Sequence, residues 1–287
     1  MSFDVTLVTY ERLPDGGDDD QLLARALAAT GARARFAVWS DPSVDWSASP
    51  VTILRSTWDY FHRVAEFAAW LGLAASQTRL VNPHRVLRWN MDKRYLADLE
   101  VRGVPVVPTL FVRKGETVDL AALCADRGWS EVVVKPTISG GAFGTKRFAT
   151  GQIANEAAAH LAGLTETREA MIQPYLAAVE TERERSLVFL GGGFSHAFLK
   201  SPFGIDYSAS VPHPPSDQEL AFGHQVLEAV GEPVAYARVD IVPSAPGPLL
   251  MELEVIEPNL LMGLAPGSAE RLANLLLGYS GRAEAVS

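Results

Sequence analysis

The hydrophobic positions of the chain change rhythm along its length. Short apolar runs at 5–10 (VTLVTY), 33–40 (RARFAVWS), 51–56 (VTILRS) and 80–83 (LVNP) read as strands. Between them, GGDDDQLLARALAATG at 16–31 has an acidic start, helically spaced leucines and a closing glycine. HRVAEFAAWLGLAA at 62–75 is a second helix with an aromatic and leucine stripe. Strand and helix thus alternate over residues 1–90, which predicts a parallel, doubly wound sheet. Such sheets bind ligands beyond the carboxyl ends of their strands, which places Arg55, Ser56, Trp58, Asp59 and Tyr60 at a binding edge. The same residues also read as a helix start, with Ser56 or Thr57 as cap and Trp58 and Tyr60 in the core.

From residue 91 the texture differs. MDKRYLADLEVRG (91–103) predicts a helix, VPVVPTLFV (104–112) a strand, and a short helix around Cys124 leads into the valine run ending at Lys135. A glycine-rich loop (SGGAFGT, 139–145) is followed by a return strand, of which Thr145, Lys146 and Arg147 form the solvated start, and by a helix near 151–163. QPYL (173–176) is a connector, and SLVFLGGGFSHAFLKS (186–201) a hairpin turning at Gly191–Gly193. The stretch 201–216 has four prolines and no periodicity, which predicts a mobile loop or lid. A helix at 217–231 precedes two strands, 236–242 and 248–257, joined by SAPG.

Composition narrows the function classes. Hydrophobic residues make up 48% and charged residues 21%, an ordinary globular mixture. The net charge of −9, with no basic run, argues against a nucleic-acid partner. Cys124 is the only cysteine, so neither a disulfide framework nor a thiolate metal cluster is expected. Asp4 interrupts any signal-peptide core, and no apolar run is long enough to span a membrane, so a cytoplasmic location is expected. No G-x-G-x-x-G follows the first strand and no G-x-x-x-x-G-K-[ST] occurs. GFSHA at 193–197 lacks the second glycine of a nucleophile elbow, and the histidines form no H-E-x-x-H pair.

What remains is a set of charges. Burying Lys135 at a strand end is costly unless it meets an anion, and the following glycines offer backbone N–H groups that fold closely around phosphates. Taken alone, the stretch is equally a turn with a solvated lysine. Arg238 and Asp240 are two apart on one strand, and Glu252 and Glu254 two apart on the next, so each pair shares a face. If these strands pair, three carboxylates converge; their repulsion calls for a cation, and hard oxygen donors suit Mg²⁺.

In this order, with Lys93 before Lys135 and with Gln173–Leu176 and the glutamates at 180–184 between the halves, the sequence resembles the ATP-grasp superfamily. It is most similar to the branch containing glutathione synthetase, the ribosomal-protein glutamate ligases and the D-cycloserine-forming ligase. The resemblance runs over nearly the whole chain, LRSTWDY (54–60) and RWNMDKRYL (88–96) included. It implies an α/β protein, α+β in its nucleotide-binding part: an ATP-grasp fold behind a Rossmann-like pre-ATP-grasp sheet. Residues 1–90 would be the substrate domain, 91–170 the small subdomain with the glycine loop, and 171–287 the large subdomain with the metal site.

The resemblance also implies roles. Lys93 and Lys135 would contact the ATP phosphates, with Ser139, Gly140 and Gly141 in the loop that covers them. Gln173, Tyr175 and Leu176 would form the adenine hinge, and Glu180 or Glu184 would hold the ribose. Asp240, Glu252 and Glu254 would hold Mg²⁺, and Arg238 would stabilise the transferring phosphoryl group or the tetrahedral intermediate. Arg55, Ser56, Asp59 and Asn259 would meet the acceptor substrate, with Lys200 facing them and acting beside Lys135 and Arg238 in catalysis.

The implied cofactors are ATP and Mg²⁺, the partners a small-molecule carboxylate and an amine, and the subunit arrangement is open to a homodimer. Activation of the carboxylate as an acylphosphate, then displacement of phosphate by the amine, is the implied reaction. Two alternatives stay open: a cyclising ligase of the D-cycloserine-forming kind, in which a carbamoyl or ureido group is activated, and a nucleotide-binding module without turnover. Two departures stand out. Glu254 occupies a position that is asparagine in many ATP-grasp ligases, and 201–216 lacks the arginine- or glycine-rich pattern of a glutathione-type lid.

Overall fold

The computed structural model describes residues 2–201 and 207–281. The alternating N-terminal pattern folds as expected. Strands β1 (Val5–Thr9), β2 (Ala34–Val38), β3 (Val51–Leu54) and β4 (Arg79–Val81) form a parallel sheet in the order β2-β1-β3-β4. Every residue of β1 and β3 is buried, as a sheet covered on both faces requires. Helices Asp18–Ala29 and Val64–Gln77 cover it, the second packing Phe67, Trp70 and Leu71 into an aromatic cluster with Trp39, Trp46 and Tyr60.

A second sheet of four strands, β5 (Leu110–Val112), β6 (Val132–Pro136), β7 (Lys146–Phe148) and β8 (Ala170–Pro174), is antiparallel in the order β5-β8-β6-β7. The expected strand at 104–112 shrinks to β5, because Pro105 and Pro108 cannot donate to a ladder. The expected helix at 91–103 is likewise shorter, Tyr95–Val101. QPYL is more than a connector, since Gln173 and Pro174 end β8. The expected division at 170/171 falls inside β8, and we propose that it is better drawn after that strand.

The third sheet is antiparallel: β9 (Arg185–Leu190), β10 (Gly193–Leu199), β11 (Val211–Pro212), β12 (Tyr236–Val242) and β13 (Leu249–Glu254), ordered β11-β10-β9-β12-β13. β12 is wholly buried at its centre. Of the predicted lid at 201–216, residues 202–206 lie outside the described residues. The C-terminal helix Ser268–Tyr279 has no counterpart in the sequence reading, although Leu272, Ala273 and Leu276 have helical spacing; they are buried beside helix Asp18–Ala29. Helix His84–Asn90 was also unforeseen. Among the described residues no helix is long and apolar enough to cross a membrane.

Side chains lock the first sheet to the third. The Asn82 amide donates to Tyr236 O (2.9 Å) and Val255 O (2.8 Å), and the Tyr236 hydroxyl lies 2.7–3.2 Å from the carbonyls of Leu54, Val81 and Ile256. The carboxyl ends of β3 and β4 therefore abut the end of β13.

Helix Asp217–Val230 is fixed by a capping box. The Glu219 carboxylate accepts from the Ser216 backbone N–H (2.7 Å) and from Arg185 (2.8 Å). Burial alone would raise the Glu219 pKa, but the Ser216 backbone, Arg185, the Ser216 hydroxyl and His213 outweigh it and hold it at about 2. A carboxyl lowered on folding stabilises above its unfolded value, near 4.5, and that stability is lost as pH falls toward 2. Glu219→Gln is thus expected to cost about 1–2 kcal/mol at pH 7. Urea titrations of both proteins at pH 7 and pH 3 should show the difference shrinking at the lower pH; an equal gap would refute the assignment.

Candidate active site

The site is built on the pairing of β12 with β13. Their register sets Arg238 opposite Glu254 and Asp240 opposite Glu252, and β9 adds Ser186 opposite Asp240. Since alternate residues share a face, all of these project together. Glu184 precedes β9 and Lys200 follows β10, and the Lys200 backbone N–H bonds Glu184 O (2.9 Å).

The charges interlock. Lys200 Nζ lies 2.5 Å from both Glu184 Oε1 and Asp240 Oδ2. Asp240, fully buried, also accepts from Arg238 Nη2 (2.9 Å) and the Ser186 hydroxyl (2.7 Å). Arg238 also pairs with Glu254 and donates to Asn259 O (2.9 Å). From the second sheet comes Lys135, on β6, and from the turn before helix Tyr95–Val101 comes Lys93, whose Nζ is 3.1 Å from Glu252 Oε1 and 2.7 Å from Ser139 O. Among the described residues no side chain forms a hydrogen bond or ion pair with Lys135.

Three carboxylates share one cluster, yet their pKa shifts differ. Burial opposes ionisation of Asp240, but Arg238 and Lys200 outweigh it and hold its pKa far down. Burial also works against Glu252, where Lys93, Lys135 and Lys200 win and the pKa falls. For Glu254 burial prevails over Arg238, and the charges on Glu252 and Asp240 add to it, raising its pKa to about 7. Burial lowers the pKa of Lys135, opposed by Glu252 and reinforced by Lys93.

A divalent cation fits this donor set. One carboxylate oxygen from each of Asp240, Glu252 and Glu254 lies within 4.8 Å of the others. That is near the ~4.2 Å across an Mg²⁺ octahedron, and the donors are hard oxygens. The burial of Glu254 and the charges of Glu252 and Asp240 upon it are what such an ion would offset.

The glycine loop lies beside these lysines. Gly141, Ala142 and Gly144 are all left-handed (φ 54°, 59° and 68°), and the loop is tightened by Phe143 N bonding Gly140 O and Thr145 N bonding Ala142 O at 3.0 Å each. Ser139 is buried and held by Lys93.

The remaining expected residues separate into two groups. Gln173 donates to the Thr109 hydroxyl (2.9 Å), and Tyr175 N bonds Glu131 O (2.9 Å), with Leu176 next along the chain. Glu180 lies on this edge, paired with Arg147 (2.6 Å). Glu184, by contrast, is in the Lys200–Asp240 cluster, so the two ribose candidates occupy different places. Arg147 is not merely a solvated strand start: it also binds Glu131 (2.7 Å) and its guanidinium lies 3.5 Å from the Tyr175 ring centroid.

The N-terminal edge departs further from expectation. Arg55 and Ser56 turn inward, both to Asp20, with Arg55 Nε 3.0 Å away and only 1% of Arg55 exposed. Arg55 also donates to Pro258 O (3.3 Å), while its Nη1 is buried without a partner among the described residues. Asp59 accepts from the Trp39 indole (2.7 Å), and Asn259 Oδ1 accepts from Leu261 N (3.2 Å). Tyr60 joins the core as the helix-start reading expected, but Trp58 is 37% exposed. The sequence reading missed Asp19 and Asp20. Asp19 accepts the backbone N–H groups of Leu260 and Met262 at 2.8 Å each, which fixes the segment after β13. Their only local signal was the acidic run at a helix start, which usually means capping.

Residues 5–82 match the family described as the N-terminal domain of D-cycloserine synthetase DcsG. Over 273 residues the chain is 33% identical to the cycloserine biosynthesis protein DcsG of Streptomyces lavendulae, covering 88% of this chain and 91% of that relative. The chain belongs to the DcsG family of ATP-grasp ligases. The crystal structure of D-cycloserine synthetase DcsG matches this family member with a TM-score of 0.88 and 31% identity, over 96% of this chain and 99% of that one. A RimK domain ATP-grasp protein from Sphaerobacter thermophilus, at 18% identity, shares the fold with a TM-score of 0.71 over 96% of this chain and 98% of its own. This member of the DcsG family is an ATP-dependent ligase.

Proposed function

We propose that the chain forms a C–N bond by activating a small-molecule carboxylate with ATP and Mg²⁺, and that both reacting groups belong to one molecule, so that the reaction closes a ring. The observation that carries the reading is the convergence of Lys93, Lys135, Lys200 and Arg238 on Asp240, Glu252 and Glu254. A binding module has no need of three metal-spaced carboxylates paired with three cations, with Lys135 buried beside them. The ring-closing form is favoured by similarity to a chain named D-cycloserine synthetase.

Lys93 and Lys135 would hold the ATP phosphates under the Ser139–Gly141 loop, with Gln173, Tyr175 and Leu176 along the adenine and Glu180 on the ribose. Glu184 is better assigned to orienting Lys200. Asp240, Glu252 and Glu254 would hold Mg²⁺, which would neutralise charge on the phosphates. The substrate carboxylate oxygen attacks the γ-phosphorus, the bond to ADP breaks, and an acylphosphate forms. The nitrogen then attacks the acyl carbon, and phosphate leaves with the C–O electron pair as the nitrogen loses its proton. Arg238 would stabilise the developing oxyanion, and Lys200 would steady the acceptor. Arg55, with Asp20, Ser56, Asp59 and Asn259, would shape the acceptor edge; its burial makes Arg55 a support for the Pro258 turn before it is a contact.

ADP release in Mg²⁺ATP is the test, against amino acids bearing ureido or carbamoyl side chains, supplied singly and in pairs with amines. Stimulation by one compound alone supports ring closure, and a strict need for two supports intermolecular ligation. Tight nucleotide binding with no stimulation by any compound would favour the module. Glu252→Ala is expected to cut ADP release by about 10²–10³-fold at any Mg²⁺ concentration with the fold retained. Wild-type turnover in that variant would overturn the metal assignment.

A further inference from the structure

The glycine loop rests on the N-terminal domain. The Phe143 ring lies 5.5 Å from Phe61 and 4.8 Å from His62, centroid to centroid, and Arg168 lies 5.1 Å from the Phe143 ring. Gly140 passes so close to Phe61 that a Cβ there would sit 2.9 Å from the ring, so only glycine fits without moving it. Ile138 packs against the cluster containing Trp39, Tyr60 and Phe67. The loop is therefore held at two points: Lys93 binds Ser139 on the phosphate side, and the Tyr60–His62 turn receives Phe143 on the other.

That turn directly follows Arg55–Asp59, the acceptor edge. None of the reacting groups needs Phe143, and a loop with three glycines would not by itself be ordered.

We propose that Phe143 is a positioning residue, seated between Phe61 and His62, that sets the closed position of the phosphate loop and thereby links it to the acceptor edge. The proposal rests on the reading that this loop covers the ATP phosphates. Both ring pairs fall in the range where aromatic contacts are favourable, and together they shift a local opening equilibrium by roughly tenfold. A loop opened that often would admit water to an activated intermediate.

Hydrogen–deuterium exchange across residues 138–145 tests this on the intact protein, with and without Mg²⁺ and the non-hydrolysable analogue AMPPNP. In Phe143→Ala without nucleotide, exchange there should rise roughly tenfold while Val132–Pro136 stays unchanged. Phe61→Ala, altered on the other side of the contact, should reproduce that rise, and Phe143→Tyr should restore native exchange. Native-like exchange of the loop in both alanine variants would overturn the seat. In the native protein Mg²⁺–AMPPNP should slow exchange of the same segment. No slowing there would overturn the loop's assignment to the phosphates, and the link to the acceptor edge with it, while the nucleotide-free comparison would still decide whether Phe143 is seated.

Discussion

Lys135→Met is expected to remove ligase activity while leaving the protein at least as stable as before. Lys135 sits in the cluster without a paired carboxylate among the described residues, and burial, reinforced by Lys93 and Lys200, lowers its pKa. A base whose pKa falls on folding disfavours the native state while it is charged. Methionine keeps the stem's packing and removes that charge. The lysine's function, under the proposal, is to receive phosphate charge, and losing one such preorganised donor lowers kcat by about 10²–10³-fold. Thermal unfolding without nucleotide should show an unchanged or higher midpoint. The added stabilisation from Mg²⁺ATP should shrink, and ADP release should fall. A variant that turns over normally would remove Lys135 from the mechanism.

Asp240→Asn should behave in the opposite way. Asp240 is fully buried and neutralises Lys200 and Arg238 at once, with the Ser186 hydroxyl on its other oxygen. Asparagine keeps the shape but leaves two buried cations facing a neutral amide. Breaking a buried pair from one side costs about 3–5 kcal/mol, because the stranded charge cannot regain its hydration. For a chain of this size that lowers the melting midpoint by about 5–8 °C. Denaturant titration reads the loss directly, and a cost below about 1 kcal/mol would show that Glu184 and Glu254 already compensate those cations. The two variants therefore separate a residue held for chemistry from one that also holds the fold.

Legibility followed the range of the interaction. The carboxylate cluster could be read because β12 and β13 are joined by a short turn: residues two apart share a face, and pairing brings the faces together. The same logic recovered the parallel sheet and the hairpin of β9 and β10. It could not tell Glu180 from Glu184, because which of two nearby glutamates meets Arg147 and which meets Lys200 depends on the short helix Ala178–Thr181, which carries Glu180, and on the turn that follows it.

The N-terminal edge shows the limit more clearly. RSTWDY identifies a strand end, but not that Arg55 and Ser56 turn inward to Asp20, a residue on a separate helix. Nor did the loop's glycines indicate that Phe143 would find Phe61 across the domain junction.

By itself the sequence determined most of the elements, the shared faces of charged residues and the order of the motifs, because each follows from local backbone periodicity. Only the tertiary structure decided the partners: Asp20 for Arg55, Lys200 for Glu184, Phe61 for Phe143. Those choices depend on how separate sheets and helices stack, and the energy that selects them, burial with its charges matched, exists only once the chain has closed around them.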